Sequence, residues 1–232
     1  MKTPTIGFDA DDTLWHSENH FAVTEERFRR LLAPWTPPDT AGELLVERER
    51  ANLKIFGYGV KGFTLSMIET AIEISDGQVP AEAVQQLIDW GKELLGHPVE
   101  LIDGAQDVLT TLGEDHRLVL ITKGDLFHQE SKVAESGLAD HFDSVEILSE
   151  KSPESYAGVL DRLGVKPSEF VMIGNSVRSD ILPVLNLGGR AIHVPYGITW
   201  SHEQVEAAEE THNWETIGSL PELLTMFSPG AR

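Results

Sequence analysis

The sequence predicts an α/β fold: a mostly parallel β-sheet with helices on both faces, interrupted by an all-helical insert. Three observations carry this. Five short apolar runs are spread along the chain, and helical apolar periodicity fills most of the gaps between them. From about residue 17 to 95 the helical period continues, with no apolar run that reads as a strand.

The first run, Thr3–Phe8, passes directly into Asp9-Ala-Asp-Asp-Thr-Leu-Trp15, the pattern of a buried strand ending in a polar loop. Ser17 then stands where it can cap a helix carrying Phe21, Phe28 and Leu32, with Glu25–Arg29 and Glu26–Arg30 as i,i+4 pairs. Val84, Leu87, Ile88, Leu94 and Leu95 mark a second helix. Ala105, Val108, Leu109 and Leu112 follow the i, i+3, i+4, i+7 rule. The strand-like run Arg117–Thr122 comes next, and Ser144–Leu148 after it. Ser152 as N-cap and Pro153 at the first helical position open a helix with Tyr156, Val159, Leu160 and Leu163 on one face. Phe170–Gly174 and Arg190–Val194 complete the runs. Alternating strands and helices imply βαβ units, so residues 1–15 and 99–232 form a Rossmann-like α/β core. Residues 16–98 form the helical insert, with 13 acidic and 8 basic residues against 25 and 10 in the rest.

Composition narrows the function. The chain has 232 residues and a formal charge of −20, an unfavourable footprint for nucleic acid or an anionic membrane surface. Without cysteine there is no disulfide framework, thiolate metal site or cysteine nucleophile. Met1–Phe8 holds one lysine and no long apolar region, and no stretch reaches the roughly 18 apolar residues of a membrane span. The expectation is a cytoplasmic protein. Oligomeric state leaves no mark in the sequence.

In open α/β sheets, ligands bind outside the carboxyl ends of the strands. After the first run come Asp9, Asp11 and Asp12; after the second, Thr122, Lys123, Gly124 and Asp125. Lys151 lies beyond the third, and Asn175, Ser176, Ser179 and Asp180 beyond the fourth. Crowded carboxylates repel unless a cation neutralises them. Hard oxygen donors of this kind suit Mg²⁺, which commonly grips a substrate phosphate as well. Lys123 and Lys151 add local positive charge.

Gly57-Tyr-Gly-Val-Lys-Gly62 matches G-x-G-x-x-G, with Asp76 downstream. A dinucleotide fingerprint must follow a buried strand. Here it follows the charged, helix-like stretch 45–56, which reads better as the approach to a turn between helices.

Asp9-x-Asp11-x-Thr13-Leu14, Thr122, Lys151 and Gly174-Asn175-(x4)-Asp180 resemble the four ordered motifs of the haloacid dehalogenase superfamily, over essentially the whole chain. The insert resembles that superfamily's C1-type helical cap. The resemblance implies Mg²⁺-dependent hydrolysis of a small phosphomonoester through an aspartyl-phosphate. Asp9 would be the nucleophile and Asp11 the general acid and base. Asp9, the Asp11 main-chain carbonyl, Asn175 and Asp180 would hold the metal. Thr122, Lys123 and Lys151 would bind the phosphoryl group. Tyr58 and Lys61, in the insert's turn, would touch the substrate. One departure is Asn175, where phosphatases of the superfamily usually carry an acidic residue. The dehalogenase branch has an Asn in this region and needs no metal, but it lacks the second carboxylate present here as Asp11. Dehalogenase chemistry, phosphomutase chemistry and a non-catalytic phosphometabolite-binding module remain the alternatives.

Overall fold

The computed structural model describes residues 3–198 and 214–228. The chain forms two compact units, residues 1–16 with 99–232, and residues 17–98.

In the first unit six parallel strands form one sheet: β1 (Thr5–Phe8), β2 (Leu118–Lys123), β3 (Ser144–Leu148), β4 (Phe170–Gly174), β5 (Arg190–His193) and β6 (Glu215–Thr216). Their spatial order is β3-β2-β1-β4-β5-β6. The inner strands carry unbroken apolar runs, such as Leu118–Ile121 and Phe170–Ile173, because both faces are covered. Ile6, Phe8, Leu118, Leu120, Val171 and Ile173 point into one core with residues of α5 (Ala105–Gly113), α6 (Leu126–Glu135) and α9 (Glu222–Met226). Val119, Ile121, Phe170 and Met172 point into the other, against α7 (Pro153–Leu163) and α8 (Leu182–Asn186). Successive residues of β2 serve opposite cores, as the period of two requires. Ser152 caps α7, accepting the Ser155 N–H at 3.3 Å while Ser155 Oγ accepts the Ser152 N–H at 2.8 Å. The five apolar runs are thus five of the strands. The sixth, β6, is two residues long and polar, so no apolar run announces it.

The second unit is α1 (Glu18–Leu31), α2 (Pro38–Phe56), α3 (Val60–Ile74) and α4 (Ala81–Leu95). Its core is Phe28 and Leu32, Ala41 and Leu45, Val60, Phe63, Met67 and Ala71, and Leu87, Trp90 and Leu94. Both expected ion pairs of α1 form, Arg29–Glu25 at 2.5 Å and Arg30–Glu26 at 2.8 Å. The glycine-rich turn follows a helix, not a strand, and Gly57 and Gly59 take positive φ of 73° and 103° there. No helix among the described residues is long and apolar enough to cross a membrane.

Candidate active site

Strand β1 is flanked by β2 and β4, so the direction of strand succession reverses around it, the place where open α/β sheets build their sites. Asp9 leaves the end of β1 with its N–H bonded to the Ile173 carbonyl of β4 at 2.9 Å. The loop then folds on one acceptor. The Ala10 carbonyl takes the N–H groups of Thr13, Leu14 and Trp15 at 3.2, 2.8 and 3.3 Å. Asp12 closes the turn at a φ of 62°, a left-handed conformation that Asp tolerates better than most residues. Buried Leu14 and Trp15 anchor the loop.

This turn puts the Thr13 hydroxyl beside Asp9. Thr13 Oγ1 lies 3.0 Å from Asp9 Oδ2 and 3.3 Å from Asn175 Oδ1, and it accepts the Asn175 N–H at 3.1 Å. On the other side of Asp9, the Lys151 ammonium donates to Asp9 Oδ1 at 2.5 Å and to Asp180 Oδ1 at 2.7 Å. All three charged groups are buried. Asp180 Oδ2 accepts the Ser176 N–H at 3.0 Å, and Ser176 Oγ accepts the Ser179 N–H at 3.0 Å, which shapes a π-helical turn over Val177–Ile181. Such turns recur at functional sites.

Two carboxylates against one ammonium leave the cluster a net negative charge. Burial pushes the Asp9 carboxyl up to about 7; the Asp180 and Asp11 carboxylates add to this and Lys151 opposes it. The Lys151 ammonium is held well above its ordinary value despite burial, because both carboxylates favour its charged form. Gly174, the last residue of β4, makes room for this arrangement. A Cβ there would overlap the Asp180 carboxylate, which is tied down on both oxygens. Gly174→Ala is expected to cost about 1–3 kcal/mol. Thermal melting checks it, and an unchanged midpoint would show that Asp180 can move aside.

Asp11 takes its own partners from outside this cluster. Its Oδ1 accepts from Trp15 Nε1 at 2.7 Å and from Lys132 Nζ at 2.5 Å, and its Oδ2 accepts from Gln129 Nε2 at 2.8 Å. Burial opposes its charge, but the Lys132 ammonium and the three donors outweigh this and hold the carboxyl below its usual range. Gln129 also reaches Thr122 Oγ1 at 3.2 Å and the Lys123 carbonyl at 2.8 Å, whereas its own Oε1 is buried without a partner among the described residues. The reverse amide would point a carbonyl oxygen at the Asp11 carboxylate and the Lys123 carbonyl. An unmade hydrogen bond of this kind costs about 1–3 kcal/mol.

The structure therefore brings Asp9, Lys151, Asp180 and Asn175 together, with Thr122 buried at the end of β2. Lys123 donates to Ser179 Oγ at 2.8 Å and lies 3.9 Å from Glu150. Tyr58 and Lys61 belong to the helical unit. Thr13, Trp15, Gln129 and Lys132 enter the site without having been singled out as site residues from the sequence. His193, also given no role there, has Nε2 3.0 Å from the Asn175 carbonyl and carries the proton of that contact.

Among the described residues, no three His, Asp or Glu side chains gather as a metal-binding group. A cation here would need the Asn175 amide and a main-chain oxygen beside the carboxylates. The donor set fits a hard divalent ion. It is all oxygen, Asp9 Oδ2 and Asn175 Oδ1 converge on one hydroxyl, and the buried cluster carries excess negative charge.

A family model described as haloacid dehalogenase-like hydrolase matches residues 3–188. A crystal structure of a haloacid dehalogenase-like family hydrolase from Xanthomonas campestris is 42% identical with a TM-score of 0.84, covering 94% of this chain and 88% of that one. The mouse (Mus musculus) N-acylneuraminate-9-phosphatase is 34% identical over 107 residues, 44% of this chain and 43% of that protein. The glyceraldehyde 3-phosphate phosphatase of Pyrococcus furiosus is 26% identical over 132 residues, 54% of each. The chain thus spans about half the length of the curated relatives it matches. A family match over most of the chain, with an α/β sheet that carries Asp9, Thr122, Lys151 and Asn175 at its strand ends, settles the assignment: the chain belongs to the haloacid dehalogenase-like hydrolases.

Proposed function

We propose that the protein is a Mg²⁺-dependent phosphatase of a small phosphorylated metabolite. The observation that carries this is Asp9 held between Lys151 and Thr13, with a second carboxylate two residues on. Curated relatives with matching segments bear phosphatase names, one for an N-acylneuraminate 9-phosphate and one for glyceraldehyde 3-phosphate.

In this reading a carboxylate oxygen of Asp9 attacks phosphorus, a new Asp9 oxygen–phosphorus bond forms, and the bond between phosphorus and the leaving oxygen breaks. Asp11 takes up a proton brought in by the phosphomonoester monoanion and passes it to the leaving oxygen. Water then attacks the phosphoryl group, its proton goes to Asp11, and the bond to Asp9 breaks. Thr122, Lys151 and nearby backbone N–H groups hold the phosphoryl oxygens, and Lys151 favours the ionised form of Asp9. Lys123, tethered to Ser179, contributes charge at the same strand end. Asp9, Asn175 and the Asp11 carbonyl would hold Mg²⁺, with Asp180 supplying the second negative charge. When bound, the ion would neutralise charge on the phosphate and on Asp9. The helical unit, residues 17–98, is proposed as a cap whose closure excludes bulk water, with Tyr58 and Lys61 selecting the substrate.

The test is phosphate release from a panel of small phosphomonoesters with Mg²⁺ and with chelator. Release that requires Mg²⁺ supports the reading. Halide release from a 2-haloacid without metal, or an isomerised product with no free phosphate, would replace it with the dehalogenase or mutase alternative. Ligand-induced stabilisation without turnover would favour a binding module. A second readout needs no activity: saturating Mg²⁺ should raise the thermal midpoint by binding only the folded state. At a hundredfold excess over Kd that is worth about 2.7 kcal/mol. The shift should shrink in Asp9→Asn, and an equal shift in both proteins would place the ion elsewhere.

A further inference from the structure

We infer that Lys132, with Gln129 and Trp15, positions Asp11 for its proton transfers. This rests on the phosphatase reading above and adds three residues to it. Asp11 has donors on both carboxylate oxygens, drawn from two separate elements: Trp15 closes the loop that carries Asp11, and Gln129 and Lys132 stand at i and i+3 on α6. Three donors from two directions leave the side chain one orientation.

Two features mark this as more than a surface ion pair. Lys132 is mostly buried, with a side-chain exposure of 14%. Gln129 is buried and spends its amide hydrogens on Asp11, Thr122 and the Lys123 carbonyl while its Oε1 has no partner among the described residues. The orientation of this glutamine follows from what its amide donates to. Sites that sacrifice local satisfaction in this way are characteristically functional. Gly124, at a φ of 144°, allows the approach, since a Cβ there would come within 3.0 Å of Gln129 Nε2. The same amide thus joins the proposed acid and base, Asp11, to the proposed phosphoryl ligand, Thr122. Neither Lys132 nor Gln129 is placed to touch the phosphoryl group in this role. They act through Asp11.

The experiment compares kcat/KM for an alkyl phosphomonoester from the panel, whose leaving oxygen needs a proton, with that for an aryl ester such as 4-nitrophenyl phosphate, whose leaving group does not. Lys132→Met should lower kcat/KM for the alkyl ester by about 10²-fold, the typical effect of misplacing a catalytic group by about 1 Å. The aryl ester should lose only a few fold. Lys132→Arg should recover most of the alkyl activity, and Gln129→Leu should repeat the leaving-group pattern more weakly. In an Asp11→Asn background, Lys132→Met should add no further loss, because a residue that acts through another is not additive with it. Equal losses on both esters, or the full factor appearing again on top of Asp11→Asn, would overturn the inference and leave Lys132 a structural residue. A wild-type protein that releases phosphate from neither ester would overturn the phosphatase reading itself, and the inference with it.

Discussion

Asp9→Asn is expected to lower phosphate release by about 10⁴- to 10⁶-fold, the scale on which removal of a covalent nucleophile acts. The same substitution should stabilise the metal-free protein near neutral pH. The folded-state carboxyl is pushed up to about 7 from an ordinary 3.8, so the folded protein keeps a proton that the unfolded chain has released. The stability this contributes is fully present below about pH 4 and is lost as pH rises toward 7. Asparagine has no such dependence. Without metal, the variant's melting midpoint should therefore gain on the wild type across that interval, with the difference levelling off above it. Parallel melting curves across pH 4 to 8 would mean that Asp9 is not the strained group. Retained turnover in the variant would remove it from the chemistry altogether.

Lys151→Met should have the second-largest effect, on stability as well as turnover. The substitution removes the ammonium that stands 2.5 Å from Asp9 and 2.7 Å from Asp180. Two buried carboxylates are then left without a counter-charge. Breaking a buried pair in this way costs about 3–5 kcal/mol. In a domain of this size that lowers the melting midpoint by roughly 10 °C. The deficit should be present at pH 7.5 and shrink on acidification, as protonation of Asp9 relieves the cluster. An unchanged midpoint at pH 7.5 would show that the cluster is solvated in solution. Lys151→Arg keeps the charge, but a planar fork cannot replace a compact ammonium wedged between two carboxylates, so it should restore stability better than activity.

How much of this was legible in the sequence depends on which element carries each residue. Asp9, Thr122, Lys151, Asn175 and Asp180 follow apolar runs, and a polar residue just past a buried strand stands out by contrast. The parallel sheet was legible for the same reason, since Leu118–Ile121 is apolar at every position only if both faces are covered. Gln129 and Lys132 were hidden because they lie on a helix. Alongside Phe127, 73% exposed, and the partly buried His128 and Lys132, the start of α6 reads as a solvated face. Only the three-residue spacing of Gln129 and Lys132 hints that they share a direction. Trp15 is packed at 1% exposure, and its indole N–H also fixes Asp11 four residues back, a bond with no signal in the sequence. The pairing of Thr13 with Asn175 spans most of the chain and has no local signature.

The sheet order has a consequence for how the molecule is made. Strand β1 precedes the other strands of the sheet in sequence, yet Ile6 pairs with Leu118 and with Val171, so it cannot be seated on both sides until β4 has emerged. The helices of residues 17–98 contact one another through near neighbours in sequence and can gather early, while β1 waits for partners far down the chain. Asp9 depends on that wait, because its own N–H is fixed by Ile173 and its carboxylate by Lys151. Asp9 therefore reaches its buried setting only once the chain through β4 is available.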